Sequence, residues 1–172
     1  MGNSNDGSAV TALAGKLIRN FRQAELQHRV REPLYDSHSV RLARGTAAQG
    51  LGLSVVTVAP GKRASPYHLH HAEEEMFIIV SGSGTLRVAG EMLPLVEGDV
   101  VFIPPGPEYP HQIINTSDQP LAYLAISNRC KVEVCEYPDS DKFQADVSTD
   151  AGTSFEATRR RGDELDYWDG EP

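Results

Sequence analysis

The stretch "SPYHLHHAEEEMFIIVSG", residues 65–82, places three histidines and three glutamates directly ahead of an apolar run. On an extended chain His68 and His70 project to one face, because side chains alternate with a period of two, and His71 projects to the other. One histidine alone is more often structural than a ligand. Two on one strand face, followed at once by carboxylates, form a donor set that suits manganese, iron, nickel or zinc. The run Met76–Val80 then reads as a strand of the wall behind those donors. The residues alone leave open which glutamate joins the histidines. Unbroken alternation from His68 selects Glu74, whereas a loop at residues 71–73 would bring Glu75 onto the face of Phe77 and Ile79.

Working outward, the runs "SVRLAR", "LGLSVVTVAP", "GTLRVAG", "DVVFIPPG", "HQIINT", "LAYLAIS" and "CKVEVCEY" are short, rich in Val, Ile and Leu, and closed by Gly, Pro, Asn or Asp. Many short strands with turn signals between them predict an all-β sandwich or barrel over residues 39–137. "SGSG" predicts a tight hairpin turn. "NTSDQP" predicts a turn in which Asn115 and Asp118 bond their own backbone. Residues 1–38 form an N-terminal arm. In it, Val10, Leu13, Leu17, Ile18, Phe21 and Ala24 recur at helical spacing and predict a helix over 9–27 on the outside of the barrel, with Ser8 as N-cap. Residues 138–172 are polar and acidic and predict an irregular tail, whose Tyr167 and Trp168 either dock or stay with a disordered segment.

The 172 residues suit one domain with appendages. The net charge of −8 argues against a nucleic-acid partner, which calls for a basic face. The one dense basic cluster, Arg159–Arg161, is followed by acids and reads as a solvated segment. No secretory h-region and no membrane-length apolar run is legible, so a cytoplasmic protein is expected. Cys130 and Cys135 match neither a redox pair nor a zinc knuckle and are expected to be reduced thiols. His28 and His38 are expected on the surface.

"GKRASPYHLHHAEEEMFIIVSG", residues 61–82, resembles the first motif of the cupins through Gly61, His68, His70 and Gly82. "GDVVFIPPGPEYPHQIIN" resembles the second through Gly98, Pro104, Gly106, His111 and Asn115. The paired motifs occur in order, and the resemblance covers roughly residues 50–127. It implies a cupin double-stranded β-helix, a jelly-roll-like barrel with a metal inside its mouth. The usual cupin spacing implies Glu75, rather than Glu74, as the acidic ligand, with Glu73 and Glu74 left solvated or behind the ligands. The usual gap in the second motif would fall on Tyr109. Reading "PEYP" as a loop extension keeps His111 as the ligand, with Ile113 sharing its inward face. The implied metal set is His68, His70, Glu75 and His111, holding one divalent first-row transition metal per chain.

Such a site leaves room for a small oxygen-rich metabolite. The expected function is therefore enzymatic, of the sugar or sugar-phosphate isomerase or epimerase type, or a dioxygenase. A non-catalytic ligand-binding or sensor cupin is the alternative. An isomerase needs a base near the substrate carbon, for which Glu108 and Tyr109 are the weak candidates. Lys62 and Arg63 are the nearest cations for an anionic substrate. A homodimer is expected, because pairing covers exposed sheet faces and edges.

Overall fold

The computed structural model describes residues 5–149, 152–162 and 164–172. The N-terminal reading at residues 1–4 and the acid at 163 lie outside these. Helix α1 (Asn5–Leu17) is followed, among the described residues, by thirteen strands. They are β1 (Gln27–Arg31), β2 (Tyr35–Arg41), β3 (Leu51–Val58), β4 (Leu69–His70), β5 (Glu75–Ser81), β6 (Ser83–Val88), β7 (Glu91–Val96), β8 (Val100–Ile103), β9 (His111–Ile114), β10 (Leu121–Asn128), β11 (Val132–Tyr137), β12 (Lys142–Thr149) and β13 (Gly152–Arg160).

The large sheet runs β1-β2-β3-β10-β5-β8. Two smaller sheets, β7-β6-β9 and β13-β12-β11-β4, complete the barrel. All pairings between these strands are antiparallel. The core lies between the sheets, where Val58, Ile79, Leu86, Ile113 and Leu121 meet. Strict alternation shows in β5, where Phe77 and Ile79 are buried while their neighbours are only partly so. The fold is thus the all-β cupin barrel with an N-terminal helix.

Several local expectations need correction. The "SGSG" segment is not a hairpin: β5 pairs with β10 and β8, whereas β6 pairs with β7 and β9. Gly82 instead turns the chain from one sheet to another. Its φ is +82°, and a Cβ there would stand 2.5 Å from the Pro120 carbonyl oxygen, so only glycine fits. Helix α1 begins at Asn5, which places Ser8 inside it rather than at its cap, and it ends at Leu17 instead of residue 27. Beyond it, Phe21–Gln23 form a single tight turn, and residues 27–41 form the β1–β2 hairpin, which extends the large sheet by pairing with β3. Val10, Leu13, Leu17 and Ile18 remain more than half exposed.

The acidic tail is not irregular over residues 142–149 and 152–160. There β12 and β13 form a hairpin that continues from β11. Its composition hides it, because both faces stay partly open to water and no apolar alternation is required of it. Past it, Tyr167 and Trp168 are exposed, with ring centroids 4.9 Å apart edge to face, packed on each other. The "NTSDQP" turn centres on Asn115, fully buried, whose side-chain oxygen accepts from the Ser117 N–H while its amide donates to Val58 and Gln119 carbonyls.

Candidate metal centre

The two histidine segments are tied together by backbone. His68 N–H donates to the His111 carbonyl at 3.0 Å, and His111 N–H returns to the His68 carbonyl at 2.7 Å. Gly106 N–H donates to the His70 carbonyl at 2.7 Å. With both ends of the "PEYP" loop pinned this way, His111, not Tyr109, reaches the interior. His111 is 1% exposed and Tyr109 is 42% exposed. Glu108 lies on the same exposed turn. Neither Glu108 nor Tyr109 lines the barrel cavity.

Residues 71–74 form a bend between β4 and β5. The bend resets the alternation, and Glu75 opens β5 on the inward face of Phe77 and Ile79. Glu74 is exposed. A residue that sequence reasoning missed fixes this bend. Glu133, buried on β11, accepts hydrogen bonds from the backbone N–H groups of His71 (2.9 Å), Ala72 (3.2 Å) and Glu73 (2.8 Å). Its carboxylate also lies 3.8 Å from His70 Nδ1, a buried atom that lacks a hydrogen-bond partner. No local signal marks Glu133; it sits in an ordinary alternating strand about sixty residues downstream of the bend. Glu73 is partly buried behind the ligands: it accepts from the Cys130 N–H, and burial raises its carboxyl above the usual range. His71 points outward and bonds Glu136 at 2.7 Å.

His68, His70 and Glu75 offer donor atoms within 4.8 Å of one another, and His111 reaches this group through Glu75. Glu75 Oε2 lies 2.8 Å from His111 Nε2, 3.6 Å from His70 Nε2 and 3.9 Å from His68 Nε2. His111 Nδ1 faces the Tyr109 carbonyl at 3.2 Å, and His68 Nδ1 faces that of Pro66 at 2.9 Å. A neutral imidazole carries one N–H. With it spent on the carbonyl, the His111 Nε2 lone pair points at a carboxylate oxygen. A cation, or an extra proton, resolves that opposition. Adjacent donors about 2.1 Å from one ion stand roughly 3 Å apart, which these separations bracket. The donor set therefore fits a divalent metal. Burial, then the neighbouring His111, push the His68 imidazole down to about 4. It is thus neutral, as a ligand must be, at ordinary pH. Burial alone would raise the Glu75 carboxyl, but the His111 hydrogen bond and the other imidazoles outweigh it and hold the group below its usual value.

The cluster forms one wall of a cavity of about 550 Å³. The cavity's cations are Arg29, Arg41 and Arg44, from β1, β2 and the segment after β2. Lys62 and Arg63 do not line it. Lys62 donates to Glu32 at 2.9 Å and to the Pro33 carbonyl, and Arg63 lies in bridges between Tyr35 and Ile114. Sequence proximity to His68 was misleading for both. Among the described residues, no helix is long and apolar enough to cross a membrane.

Comparison with known proteins agrees with this architecture. A sugar phosphate isomerase from a cupin superfamily of Silicibacter pomeroyi superposes with a TM-score of 0.66 at 26% identity, covering 76% of this chain and 81% of that one. A protein of Acidithiobacillus ferrooxidans, provisionally called a sugar phosphate isomerase, gives 0.74 at 26% identity over 88% of this chain and 96% of its own. An uncharacterized protein of Methanocaldococcus jannaschii is 35% identical over 60 residues, which is 35% of this chain and 46% of that protein. The chain spans less than half the length of the curated relatives it matches. Residues 54–127 match the Cupin domain family, and together with these neighbours the match supports a cupin relationship for this part of the chain.

Proposed function

We propose that the protein is a metal-dependent cupin enzyme acting on a small oxygen-rich metabolite, of the sugar or sugar-phosphate isomerase or epimerase type. His68, His70, Glu75 and His111 would hold one divalent first-row metal, manganese, iron, nickel or zinc. The observation that carries this reading is the convergence of three imidazole nitrogens on Glu75 Oε2, at 2.8, 3.6 and 3.9 Å, beside a cavity large enough for such a metabolite. The bound metal would polarise a substrate carbonyl or hydroxyl. The chain's own part is to hold the ligand oxygens at that wall and to keep bulk water from the reacting carbon. The two isomerase-designated neighbours support the reaction class by analogy of fold and sequence.

One observation favours a second reading, a dioxygenase. Among the described residues lining the cavity, Glu75 is the sole carboxylate, and it is hydrogen-bonded to His111. Proton abstraction would therefore need a base from elsewhere, which dioxygen chemistry does not require. A binder without turnover is the third outcome. The test is a screen of sugars and sugar phosphates, and of oxygen uptake, with protein loaded by each metal in turn, before and after chelation. Chelator-sensitive isomerisation, restored by metal, is the expected result. Oxygen consumption would favour the second reading. Failure of the loaded protein to retain any metal would overturn both.

A further inference from the structure

The inner face of the large sheet carries a charge pattern that the metal cluster does not explain. The register places Arg41 opposite Ser54, Ser54 opposite Ala125, and Ala125 opposite Phe77, one inward step from Glu75. Arg41 therefore shares the same end of the barrel as the cluster. Arg44 follows on the connecting segment, and Arg29 lines the cavity from β1. None of the three guanidiniums forms an ion pair among the described residues, whereas Arg87 and Arg161 do. The chain as a whole carries 24 acids against 16 lysines and arginines. Its cavity nevertheless presents three arginines to one carboxylate. Unpaired like charges lining one hollow repel each other, and an anionic occupant relieves that.

We propose that Arg41 and Arg44, with Arg29 beside them, bind the phosphate or carboxylate group of a ligand whose other end reaches His68, His70, Glu75 and His111. This rests on the enzyme reading above and adds its specificity determinant. Guanidinium forks pair bidentately with either anion. Strand β2 stands three spacings from β5, about 14 Å along the curved sheet at roughly 4.8 Å per strand. The separation, shortened by curvature and by the reach of the arginine side chains, calls for a ligand with its anion at one end and its chelating oxygens at the other. A short phosphorylated or carboxylated sugar has that form. Ser54, opposite Arg41 on β3, lies between the two ends, and Ser39 lines the cavity beside Arg41 on β2; both can bond hydroxyls.

The experiment is calorimetric titration of the full chain, metal-free and zinc-loaded, in low-salt buffer without phosphate. The probes are inorganic phosphate, D-ribose 5-phosphate, D-ribonate and D-ribose. Ribose 5-phosphate or ribonate is expected to bind at least tenfold tighter than ribose, and the stronger of the two identifies the anion. The Arg41→Gln/Arg44→Gln double variant should lose that preference at least tenfold, and the Arg41→Lys/Arg44→Lys variant should retain part of it. Among the described residues neither arginine has a side-chain partner to lose, and a native-like melting curve checks the fold. The same preference must persist in His68→Ala/His111→Ala, so that failure of the metal reading leaves this result standing. Absence of any preference for either anion over ribose in the wild type, or an unaltered preference in the folded glutamine variant, would overturn the proposal.

Discussion

The Glu133 carboxylate lies 3.8 Å from His70 Nδ1 while it accepts the backbone N–H groups of residues 71–73. One buried side chain from β11 thus holds the bend that delivers one expected ligand and lies close behind the ring of another. Removing its charge should loosen both. Glu133→Gln is expected to weaken metal affinity roughly 10–100-fold, the range seen when groups supporting a ligand are lost. It should also lower the melting temperature of the metal-free protein. Competition with a chromophoric chelator measures the first effect. Unchanged affinity would mean that the bend holds without Glu133.

Glu75 and Glu74 differ in their surroundings although they are adjacent. Glu75→Gln removes the anionic donor from the cluster and should sharply reduce metal affinity in the same competition assay. Glu74→Gln changes an exposed acid, whose attraction for an ion is screened by solvent, and should alter affinity less than threefold. Reversal of that order would contradict the convergence on Glu75 Oε2.

Acid should destabilise the metal-free protein through His68. Above pH 6.5 the ring is neutral in both folded and unfolded chains. Between pH 6.5 and about 4 the unfolded chain takes up a proton that the folded chain refuses. Stability therefore falls as pH drops through that window, by an amount on the order of 3 kcal/mol for this group. Below about pH 4 it contributes no further change. Urea unfolding of chelator-treated protein across this range should show the slope, and His68→Gln should flatten it. A wild-type curve no steeper than the variant's would refute the assignment.

Cys130 and Cys135 are both free thiols. Burial pushes the Cys135 thiol up to about 12, so almost none is thiolate at neutral pH. Iodoacetamide should label Cys130, which is only partly buried, before Cys135, with both reacting at similar rates in denaturant. Peptide mass spectrometry distinguishes them. Early modification of Cys135 in native protein would be inconsistent with its place in β11.

Val10, Leu13 and Leu17 give α1 an apolar face open to solvent. A homodimer that covers it is the expected solution state. Light scattering at micromolar concentration should give twice the chain mass, and Leu13→Asp/Leu17→Asp should weaken that association at least tenfold. A monomeric wild type would remove this expectation.

Much of the barrel was legible because its signals are local. A strand buried on one side must alternate, and Phe77 and Ile79 do so in the sequence as they do in the fold. His68 and His70 were readable for the same reason, since spacing by two fixes a shared face. The resemblance to the cupins supplied Glu75 and His111, which alternation alone left open. What sequence could not show depends on pairing between distant segments. Gly82 turns between sheets instead of closing a hairpin because its neighbour is Pro120, a contact made only after the sheets assemble. The strands β12 and β13 escaped notice because pairing to β11 supplies their order while water still reaches both faces. Glu133 and Arg41 carry no mark of their roles along the chain. Tertiary structure brings a carboxylate under the bend at 71–73 and places an arginine of β2 on the lining of the cavity, and both placements depend on segments far apart in the chain.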